Sequence, residues 1–479
     1  MSKDKSYYFC GIGGSGMLPL AMIVKAAGAR VAGSDRALDQ GRLAEKFQWL
    51  QDRGIQLFQQ DGSGLFDSSQ ILIASAAIED TVPDVARANL LGCKRMTRAE
   101  LLAEHFNAVR NSIAVGGTSG KSTVTGMIGW ILTEAGCDPT IMNGAVMKNF
   151  VDEDTPFASS RVGDSEIMVS EVDESDGSIA LFNPQIAILN NVSLDHKSLE
   201  ELRTLFGDFV AKSEHVIWNR DDRETRSLIA SLELPQTSSF GFLDGADFRA
   251  LEVEEKSLGS NFTLRMQDRD YPISLQVPGR HNIANALAAI AACCALEVPI
   301  AKAISAIESF VGLARRFDIV GTARNITVID DFGHNPDKIA ATLRTLKAFP
   351  GRVIAFFQPH GFGPIKKMGS ELAAVFQDNL CQGDHLILCD PVYFGGTVDR
   401  SIGSDTIVAA VTAAGGKAEY IAERSACGDR MVEMARSGDR IVIMGARDDT
   451  LHKFAELILA AIARGNGEWE HRTGEWLGL

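Results

Sequence analysis

The stretch that most constrains the fold lies at residues 112–123, with the sequence SIAVGGTSGKST. The apolar run at 112–115 predicts a buried strand, and residues 124–135 carry apolar side chains at helical spacing. A strand, a glycine-rich turn, a Lys-Ser pair and a helix form the layout of a phosphate-binding loop, in which backbone N–H groups and the helix dipole meet an anion. The loop is a shortened form, because Val115 stands where the longer motif has glycine.

The residues of this loop have expected roles in binding a nucleotide. Lys121 would reach the outer phosphates, and the hydroxyl of Ser122 would hold Mg²⁺. The other loop residues expected to contact the nucleotide are Gly117, Thr118, Ser119, Gly120 and Thr123. A glycine-rich turn that merely precedes a lysine-containing helix is the alternative, and the flanking strand and helix disfavour it.

The composition is that of an acidic globular protein. The chain has 479 residues, of which 45% are hydrophobic and 23% charged, and its net charge is −15. This length suggests two to four domains, and this charge disfavours a nucleic-acid partner. No apolar run approaches the ~20 residues of a membrane span and no signal-peptide pattern is present, so we expect a cytoplasmic protein without a membrane partner. The eight scattered cysteines lack metal-binding spacing and are expected to be reduced.

Alternating strand and helix patterns predict an α/β protein with three domains. A Rossmann-like domain is expected over residues 1–108, and a central ATPase-type domain with a parallel sheet over 109–314. A second Rossmann-like domain is expected over 315–479. We expect the strands in all three to be parallel and covered by helices.

The first block contains a second glycine-rich turn. Residues 11–16, GIGGSG, follow a predicted strand and precede a predicted helix, and the next strand ends at Asp35. Such a turn could bind the pyrophosphate of a dinucleotide, with Asp35 on a ribose hydroxyl, or equally the diphosphate of a nucleotide sugar. A purely structural turn is the third interpretation, because this glycine pattern alone is weakly specific.

Acidic side chains and a histidine follow two strands of the second block. The strand at 166–170 leads into the cluster EVDESD at 171–176, which begins with Glu171. The strand at 186–191 leads to Asp195 and His196. Carboxyl ends of parallel strands face the crevice where open α/β sheets bind ligands, so these groups are candidate site residues. A solvated acidic loop is the alternative for the cluster.

Together these motifs resemble the Mur ligases, ATP-dependent enzymes that add amino acids to UDP-N-acetylmuramate in peptidoglycan synthesis. The similarity is greatest to the branch that contains the alanine-adding enzymes and the murein-peptide ligases. It spans nearly the whole chain in the right order. Besides the motifs above, it rests on PGRHNIANA at 278–286, ARRF at 314–317 and DFGHNP at 331–336.

The resemblance implies a role for each candidate residue. Ser122 and Glu171 would hold one Mg²⁺, and Glu171 and His196 a second. Lys121 and Arg316 would neutralise the γ-phosphate of ATP, Asp331 would meet the nucleotide, and His334 belongs to the catalytic set. The residues implied for adenine are Asn282 and Asn285. Those implied for the UDP-linked donor are Gly13, Gly14, Ser15, Gly16, Asp35 and Ser75. The implied partners are a UDP-linked sugar acid and an amino acid, and the expected state is a monomer or homodimer.

One segment departs from the family pattern. The family's strand in the third domain usually continues as FQPHRYxR, whereas residues 356–364 here read FFQPHGFGP, so that Gly361 and Pro364 replace two arginines. Neither residue can form the paired hydrogen bonds with which an arginine guanidinium binds both oxygens of a carboxylate. Lys366 or Lys367 could compensate in part as point charges. The ATP machinery is therefore expected to be complete and the acceptor pocket altered.

Two other functions compete with a ligase. A nicotinamide-dependent oxidoreductase would use the first glycine-rich turn, but it leaves the Lys-Ser loop and ARRF segment unexplained. A non-catalytic nucleotide-binding paralogue is favoured by the missing arginines and opposed by Lys121, Ser122, Glu171 and His196.

Overall fold

The computed structural model describes residues 5–76, 78–193, 197–392, 400–446, 448 and 450–465. The chain divides into two compact units. The first contains most of residues 1–312, and the second contains residues 313–479 with two short segments, 255–259 and 278–280. His196, one of the predicted site residues, lies outside the described residues.

The N-terminal part of the first unit is built on a five-stranded sheet. Its strands are β1 (Ser6–Cys10), β2 (Arg30–Ser34), β3 (Gln56–Phe58), β4 (Gln70–Ala74) and β5 (Lys94–Thr97). They are all parallel, in the order β3-β2-β1-β4-β5. The helices are α1 (Met17–Ala26), α2 (Arg36–Asp39), α3 (Ala44–Asp52), α4 (Pro83–Leu91) and α5 (Arg98–Phe106).

A ten-stranded sheet forms the rest of the first unit. Its strands are β6 (Asn111–Gly116), β7 (Thr140–Met142), β8 (Ser160–Arg161), β9 (Ile167–Glu171), β10 (Ile186–Leu189), β11 (His215–Asn219), β12 (Thr237–Gly241), β13 (Phe248–Lys256), β14 (Gly259–Met266) and β15 (Arg269–Leu275). The order is β15-β14-β13-β12-β11-β10-β6-β9-β7-β8. The helices are α6 (Lys121–Glu134), α7 (Leu199–Ala211), α8 (Arg223–Ala230), α9 (Arg280–Ala295) and α10 (Ile300–Glu308).

The second unit contains a six-stranded sheet. Its strands are β16 (Asp318–Ala323), β17 (Ile326–Asp331), β18 (Val353–Gln358), β19 (His385–Leu388), β20 (Ala418–Tyr420) and β21 (Arg440–Gly445), in the order β16-β17-β21-β18-β19-β20. The helices are α11 (Pro336–Lys347), α12 (Phe362–Asn379), α13 (Ser404–Ala413), α14 (Arg424–Met434) and α15 (Thr450–Arg464). Apolar cores cover both faces of this sheet, as expected for strands that are hydrophobic throughout.

The three-sheet α/β class predicted from the sequence is confirmed, and the strands flanking both glycine-rich turns lie where the apolar runs placed them. The expectation of wholly parallel sheets was wrong at the edges. The strand β16 pairs antiparallel with β17, and β14 pairs antiparallel with β15. Both hairpins have two-residue turns, and Arg324 and Asn325 in the first have positive φ angles of 51° and 61°, the geometry that tight hairpins require. Within the described residues, no helix combines the length and apolarity needed to cross a membrane.

Candidate functional site

The phosphate-binding loop connects β6 to α6. Gly117 and Gly120 have φ angles of 126° and 87°, which disfavour any residue with a side chain. A Cβ atom at Gly120 would also collide with the amide nitrogen of Asn190. The helix begins at Lys121 directly after this turn, so its first N–H groups face the loop. The backbone of this chain therefore has the shape that an anionic phosphate needs, as the sequence predicted.

Two asparagines at the end of β10 fix the loop in place. The Ser119 N–H donates to Asn191 Oδ1 at 2.8 Å, and the amide groups of Asn190 and Asn191 each donate to the Ser119 carbonyl at 3.1 Å. Thr118 Oγ1 donates to the Ser193 carbonyl at 3.1 Å. The residues predicted from this part of the chain were Asp195 and His196, and not the two asparagines. The signal for them is a pair of amide side chains directly after a buried strand.

The two residues predicted for adenine lie at the start of α9, and both are buried. The Asn190 amide donates to Asn285 Oδ1 at 3.1 Å, and the Asn285 amide donates to Asn282 Oδ1 at 3.2 Å. This chain of amides connects α9 to the phosphate-binding loop through Asn190. The structure thus brings Asn282 and Asn285 to the nucleotide loop.

Lys121 is held in a buried ion pair. Its Nζ donates to Glu174 Oε2 at 2.7 Å and to the Gly117 carbonyl at 2.8 Å. The side chain of Lys121 is 19% exposed and that of Glu174 5% exposed. Burial would lower the pKa of Lys121, but the carboxylates of Glu174, Asp173 and Glu171 outweigh that effect and raise it. Lys121 is therefore a cation at neutral pH. Its partner Glu174 belongs to the acidic cluster at 171–176, but no sequence pattern links it to Lys121.

Ser122 and Glu171, two of the predicted metal ligands, are adjacent. Ser122 Oγ donates to Glu171 Oε2 at 2.6 Å. Asn143 supports them, since its amide donates to the Ser122 carbonyl at 2.9 Å. A Cβ atom at Gly144 would collide with the Glu171 carboxylate, so a glycine is needed there. Thr123 is half-buried in the first turn of α6.

These oxygens fit Mg²⁺ better than a softer metal. Among the residues described, no three His, Cys, Asp or Glu side chains form a metal-binding group. Mg²⁺ prefers oxygen ligands, keeps several waters and is commonly bound by one or two protein oxygens together with substrate phosphates. A hydroxyl and a carboxylate next to a phosphate-binding loop match that chemistry.

The residues predicted for the donor lie at the carboxyl edge of the first sheet. The Gly13 N–H donates to Asp35 Oδ2 at 2.9 Å, and Asp35 Oδ1 accepts from the Ala37 N–H at 2.8 Å. Asp35 thus shapes the glycine-rich turn and caps α2. Gly14 and Ser15 at the tip of the turn are exposed, and so is Ser75 after β4.

An arginine that the sequence motifs did not single out lies against the first glycine loop and borders a cavity next to the second. Arg98 is the first residue of α5, whose capping box joins Thr97 and Glu100. A Cβ atom at Gly16 would lie 3.0 Å from Arg98 Cδ and 3.2 Å from its Nε. Arg98 also borders a cavity of about 60 Å³ that is bounded by Lys121, Glu171 and Asp173 as well.

The ARRF segment of the second unit forms a tight turn against β17. Arg315 and Phe317 have positive φ angles of 60° and 47°, unusual for residues with side chains. Asp331 stabilises this strained turn, because its Oδ2 accepts a hydrogen bond from the Phe317 N–H at 2.7 Å. Asp331 Oδ1 accepts from the Gly333 N–H at 2.8 Å and from Thr342 Oγ1 at 2.9 Å. Asp331 therefore organises the turn that presents Arg316.

The other predicted residues of this unit surround the ring of Phe332. The guanidinium of Arg316 lies 4.2 Å from the centroid of that ring, and the imidazole of His334 meets it edge-on. His334 Nδ1 hydrogen-bonds with the Phe332 carbonyl at 2.9 Å. Burial, aided by the nearby cation of Lys338, lowers the pKa of His334 to about 2. The imidazole is therefore neutral at physiological pH and is no phosphate-binding cation.

The segment that departs from the family pattern has a backbone suited to glycine. Gly361 precedes α12 with a φ of 135°, and Pro364 lies in the first turn of this helix. An arginine at position 361 would be strained in this conformation. Lys366 and Lys367 are exposed on the same helix.

Three models of protein families match the chain along most of its length. The model described as "Mur ligase family, catalytic domain" matches residues 6–110, "Mur ligase middle domain" matches 115–293, and "Mur ligase, glutamate ligase domain" matches 315–447. Curated relatives agree. A UDP-N-acetylmuramate–L-alanine ligase of Geotalea uraniireducens is 31% identical over 454 residues, covering 93% of this chain and 95% of the relative. The enzyme of that name from Mesorhizobium japonicum is 33% identical over 468 residues, covering 94% and 96%.

Solved structures share the fold. The UDP-N-acetylmuramate-alanine ligase MurC of Thermotoga maritima superposes with a TM-score of 0.76 at 24% identity, covering 95% of this chain and 98% of that protein. A murein peptide ligase of Psychrobacter arcticus superposes with a TM-score of 0.71, also at 24% identity, covering 96% and 99%.

Proposed function

The chain belongs to the Mur ligase family, and we propose that it is an ATP-dependent ligase that joins an amino acid or short peptide to the carboxylate of a UDP-linked sugar acid, UDP-N-acetylmuramate or a close analogue. The resemblance inferred from the sequence is confirmed by the three family models. One observation carries the proposal: a glycine-rich loop is followed directly by Lys121 and Ser122 at the start of α6, and Ser122 meets Glu171 at the end of β9.

Mur ligases are ATP-dependent and use Mg²⁺, and the residues present fit both. The loop at 117–123 would hold the phosphates through its N–H groups and Lys121. Ser122 Oγ and Glu171 would hold the metal, together with His196 as the family resemblance implies. When bound, Mg²⁺ neutralises charge on the phosphoryl group being transferred.

The reaction follows from the weakness of a carboxylate as an acyl donor. An oxygen of the donor carboxylate attacks the γ-phosphorus of ATP, and the bond to the bridging oxygen breaks, which gives an acyl phosphate and ADP. The acceptor amine attacks the acyl carbon, phosphate leaves with the bonding electrons, and the nitrogen loses a proton to form the amide. Positioning and charge neutralisation dominate such phosphoryl transfer, so Lys121 acts as a fixed cation.

The remaining assignments extend the proposal. The segment 1–108 would hold the UDP part of the donor at Gly13, Gly14, Ser15 and Gly16, with Asp35 shaping that turn and Ser75 beside it. The segments 109–314 and 315–479 would form the ATP-binding and C-terminal domains. Arg316, Asp331 and His334 are proposed for the nucleotide and the reacting groups, with Asp331 acting by positioning Arg316 and His334 as a neutral imidazole. The protein would work as a monomer or homodimer.

The acceptor is the substrate in which this chain is expected to differ from the family pattern. The backbone at Gly361 suits glycine, and Pro364 replaces a second family arginine. Positions 361 and 364 therefore lack the arginines that could pair with the carboxylate of a small amino acid. The acceptor of this chain would therefore differ from L-alanine, or its carboxylate would meet the point charges of Lys366 or Lys367.

Phosphate release across a matrix of substrates tests the function. The donors are UDP-N-acetylmuramate and its peptide-extended forms, and the acceptors are single amino acids and short peptides, each with ATP and Mg²⁺. We expect phosphate and ADP only when one donor and one acceptor are both present. No release with any pair, or release that needs neither substrate, would contradict the ligase. A cofactor-dependent change in NADH absorbance would instead support an oxidoreductase.

A further inference from the structure

Arg98 lies between the two glycine-rich loops of the first unit. Its side chain covers Gly16 at the end of the first loop, with Cζ 3.4 Å from the place of a Cβ atom there. The same side chain borders the cavity of about 60 Å³ that also touches Lys121 and Glu171. That volume suits a few waters or one carboxylate group. Arg98 is therefore placed beside both the expected donor site and the expected phosphoryl-transfer site.

The guanidinium has unused hydrogen-bonding capacity. It is half-buried, and it makes no hydrogen bond or ion pair with any part of the chain that the structure describes. A guanidinium carries five N–H donors in a fixed fork, and buried polar groups are normally satisfied. The position of Arg98 is well defined, because the capping box of Thr97 and Glu100 fixes the start of α5.

The cavity is otherwise strongly acidic. Glu171 and Asp173 border it, and Glu174 is bound to Lys121. A substrate carboxylate that enters this cavity meets like charges, and like charges disfavour each other's ionised forms. The cationic residues that border the cavity are Arg98 and Lys121, and Lys121 is already paired with Glu174.

We propose that Arg98 binds the carboxylate of the sugar-acid donor and holds it beside the phosphate-binding loop. This inference rests on the proposed ligase function. The fork of an arginine matches the two oxygens of a carboxylate, and bidentate pairing fixes the orientation as well as the position of the group. Arg98 would thereby bring one donor oxygen towards the γ-phosphate while Lys121 neutralises that phosphate.

Two UDP-sugars, one with a carboxylate and one without, test this role. UDP-N-acetylmuramate carries a lactyl ether that ends in a carboxylate, and UDP-N-acetylglucosamine has a hydroxyl in place of that whole ether. Their binding to the full chain is measured by calorimetry for the native protein, Arg98→Gln and Arg98→Lys. Arg95→Gln is the matched control, since Arg95 lies on the preceding strand in an exposed ion pair with Asp80.

We expect Arg98→Gln to weaken binding of UDP-N-acetylmuramate about 10- to 100-fold, the range for losing a hydrogen bond to a charged group. Binding of UDP-N-acetylglucosamine should change less than about twofold, and Arg95→Gln should leave both unchanged. Arg98→Lys should lose less than Arg98→Gln, because it keeps the charge without the fork. In turnover, the donor KM should rise with the KM for ATP unchanged.

Other outcomes overturn the proposal. Equal losses of affinity for both UDP-sugars would show that Arg98 binds the diphosphate. No loss of affinity for either would show that its role is structural. A rise in the KM for ATP alone would make it a counter-ion that acts through Asp173 and Lys121. If Arg98→Gln does not fold, Arg98→Lys decides by the same comparison. Turnover by the native protein with no effect of Arg98 would refute only this inference, whereas no turnover by the native protein would refute the ligase itself.

Discussion

Two regions of this molecule contain buried carboxylates at the ends of parallel strands, and they use them in opposite ways. At the end of β9, Glu171 and Glu174 face Ser122 and Lys121, the groups expected to meet a metal and phosphates. At the end of β17, Asp331 accepts hydrogen bonds from two backbone N–H groups and from the hydroxyl of Thr342, all in its own unit. The first carboxylates are therefore expected to exchange their partners for a ligand, whereas Asp331 is expected to be part of the scaffold.

The difference shows that strand-end position does not define what an acidic residue does. A carboxylate paired with a lysine or hydroxyl can give up that partner when a phosphate or Mg²⁺ arrives. A carboxylate that accepts from backbone N–H groups cannot, because each abandoned buried donor costs about 1–3 kcal/mol. The two regions should therefore respond differently to substitution.

The largest effect is expected at Lys121. Lys121→Ala should reduce turnover by at least about 100- to 1,000-fold, because a fixed charge on the transferring phosphoryl group is lost. It should also lower stability, since Glu174 is left buried without its partner, and breaking such a pair costs about 3–5 kcal/mol. Turnover and the denaturant midpoint are measured together on the purified variant.

A double variant separates the two effects of Lys121. Lys121→Ala/Glu174→Gln removes the unpaired charge, so the stability should recover while the turnover does not. Near-native turnover in folded Lys121→Ala would refute the assignment of the phosphate-binding loop. Recovery of turnover in the double variant would show that Lys121 serves only to neutralise Glu174.

An intermediate effect is expected at Asp331. Asp331→Asn keeps one acceptor oxygen and replaces the other by an NH₂ group, which would face an N–H donor of Phe317 or Gly333. We expect a loss of about 1–3 kcal/mol in unfolding free energy and a fall in turnover, because the turn that carries Arg316 loses its support. Asp337→Asn, an exposed acid in the first turn of α11, is the control and should change neither. Unchanged stability in Asp331→Asn would show that Asp331 can give up its hydrogen-bond partners, as Glu171 and Glu174 are expected to do.

Most of the architecture was predictable because it depends on local patterns. The strands β6 and β17 contain short, mainly apolar runs at 112–115 and 326–329, and such runs predict buried strands. The antiparallel edges were not predictable in this way. The segment 248–275 is rich in charged residues and alternates in burial, since β13 and β14 are partly exposed. Its pairing depends on hairpin geometry and not on hydrophobicity.

The candidate site was predictable only where a motif carries its own chemistry. The glycines and the Lys-Ser pair of the phosphate loop are fixed in sequence, and the structure places Ser122 against Glu171 as expected. The residues that support the loop come from distant segments. Asn190 and Asn191 are about 70 residues from Ser119, and their hydrogen bonds exist only after the strands align. No local pattern reports such partners, and Arg98 was missed for the same reason.

The smallest effect is expected at a cluster of charged residues in the second unit, the unit that also contains Asp331. His452 Nδ1 lies 3.0 Å from Oδ2 of Asp330, which is fully buried and also lies 3.5 Å from Arg315 Nε. The hydrogen bond to Asp330 raises the pKa of His452, and the charges of Asp330, Asp318 and Glu456 add to this against the opposing effect of burial. Because the folded pKa exceeds the unfolded value of about 6.5, the stabilisation is complete below pH 6.5 and is lost as the pH rises through the folded pKa.

His452→Gln should therefore make hydrogen exchange faster than in the native protein at pH 6, and the difference should be smaller at pH 8.5. Exchange is followed by mass spectrometry in peptides that cover β17 and α15, and the ratio of variant to native rates at each pH cancels the intrinsic pH dependence. The ratio at pH 6 should be below about fivefold, because the imidazole is partly exposed. His215→Gln, followed in peptides that cover β11, is the control: burial lowers the pKa of His215, so any pH dependence it contributes has the opposite sign. A ratio for His452→Gln that grows with pH would show that Asp330 pairs with a neutral imidazole, and that Arg315 alone balances its charge.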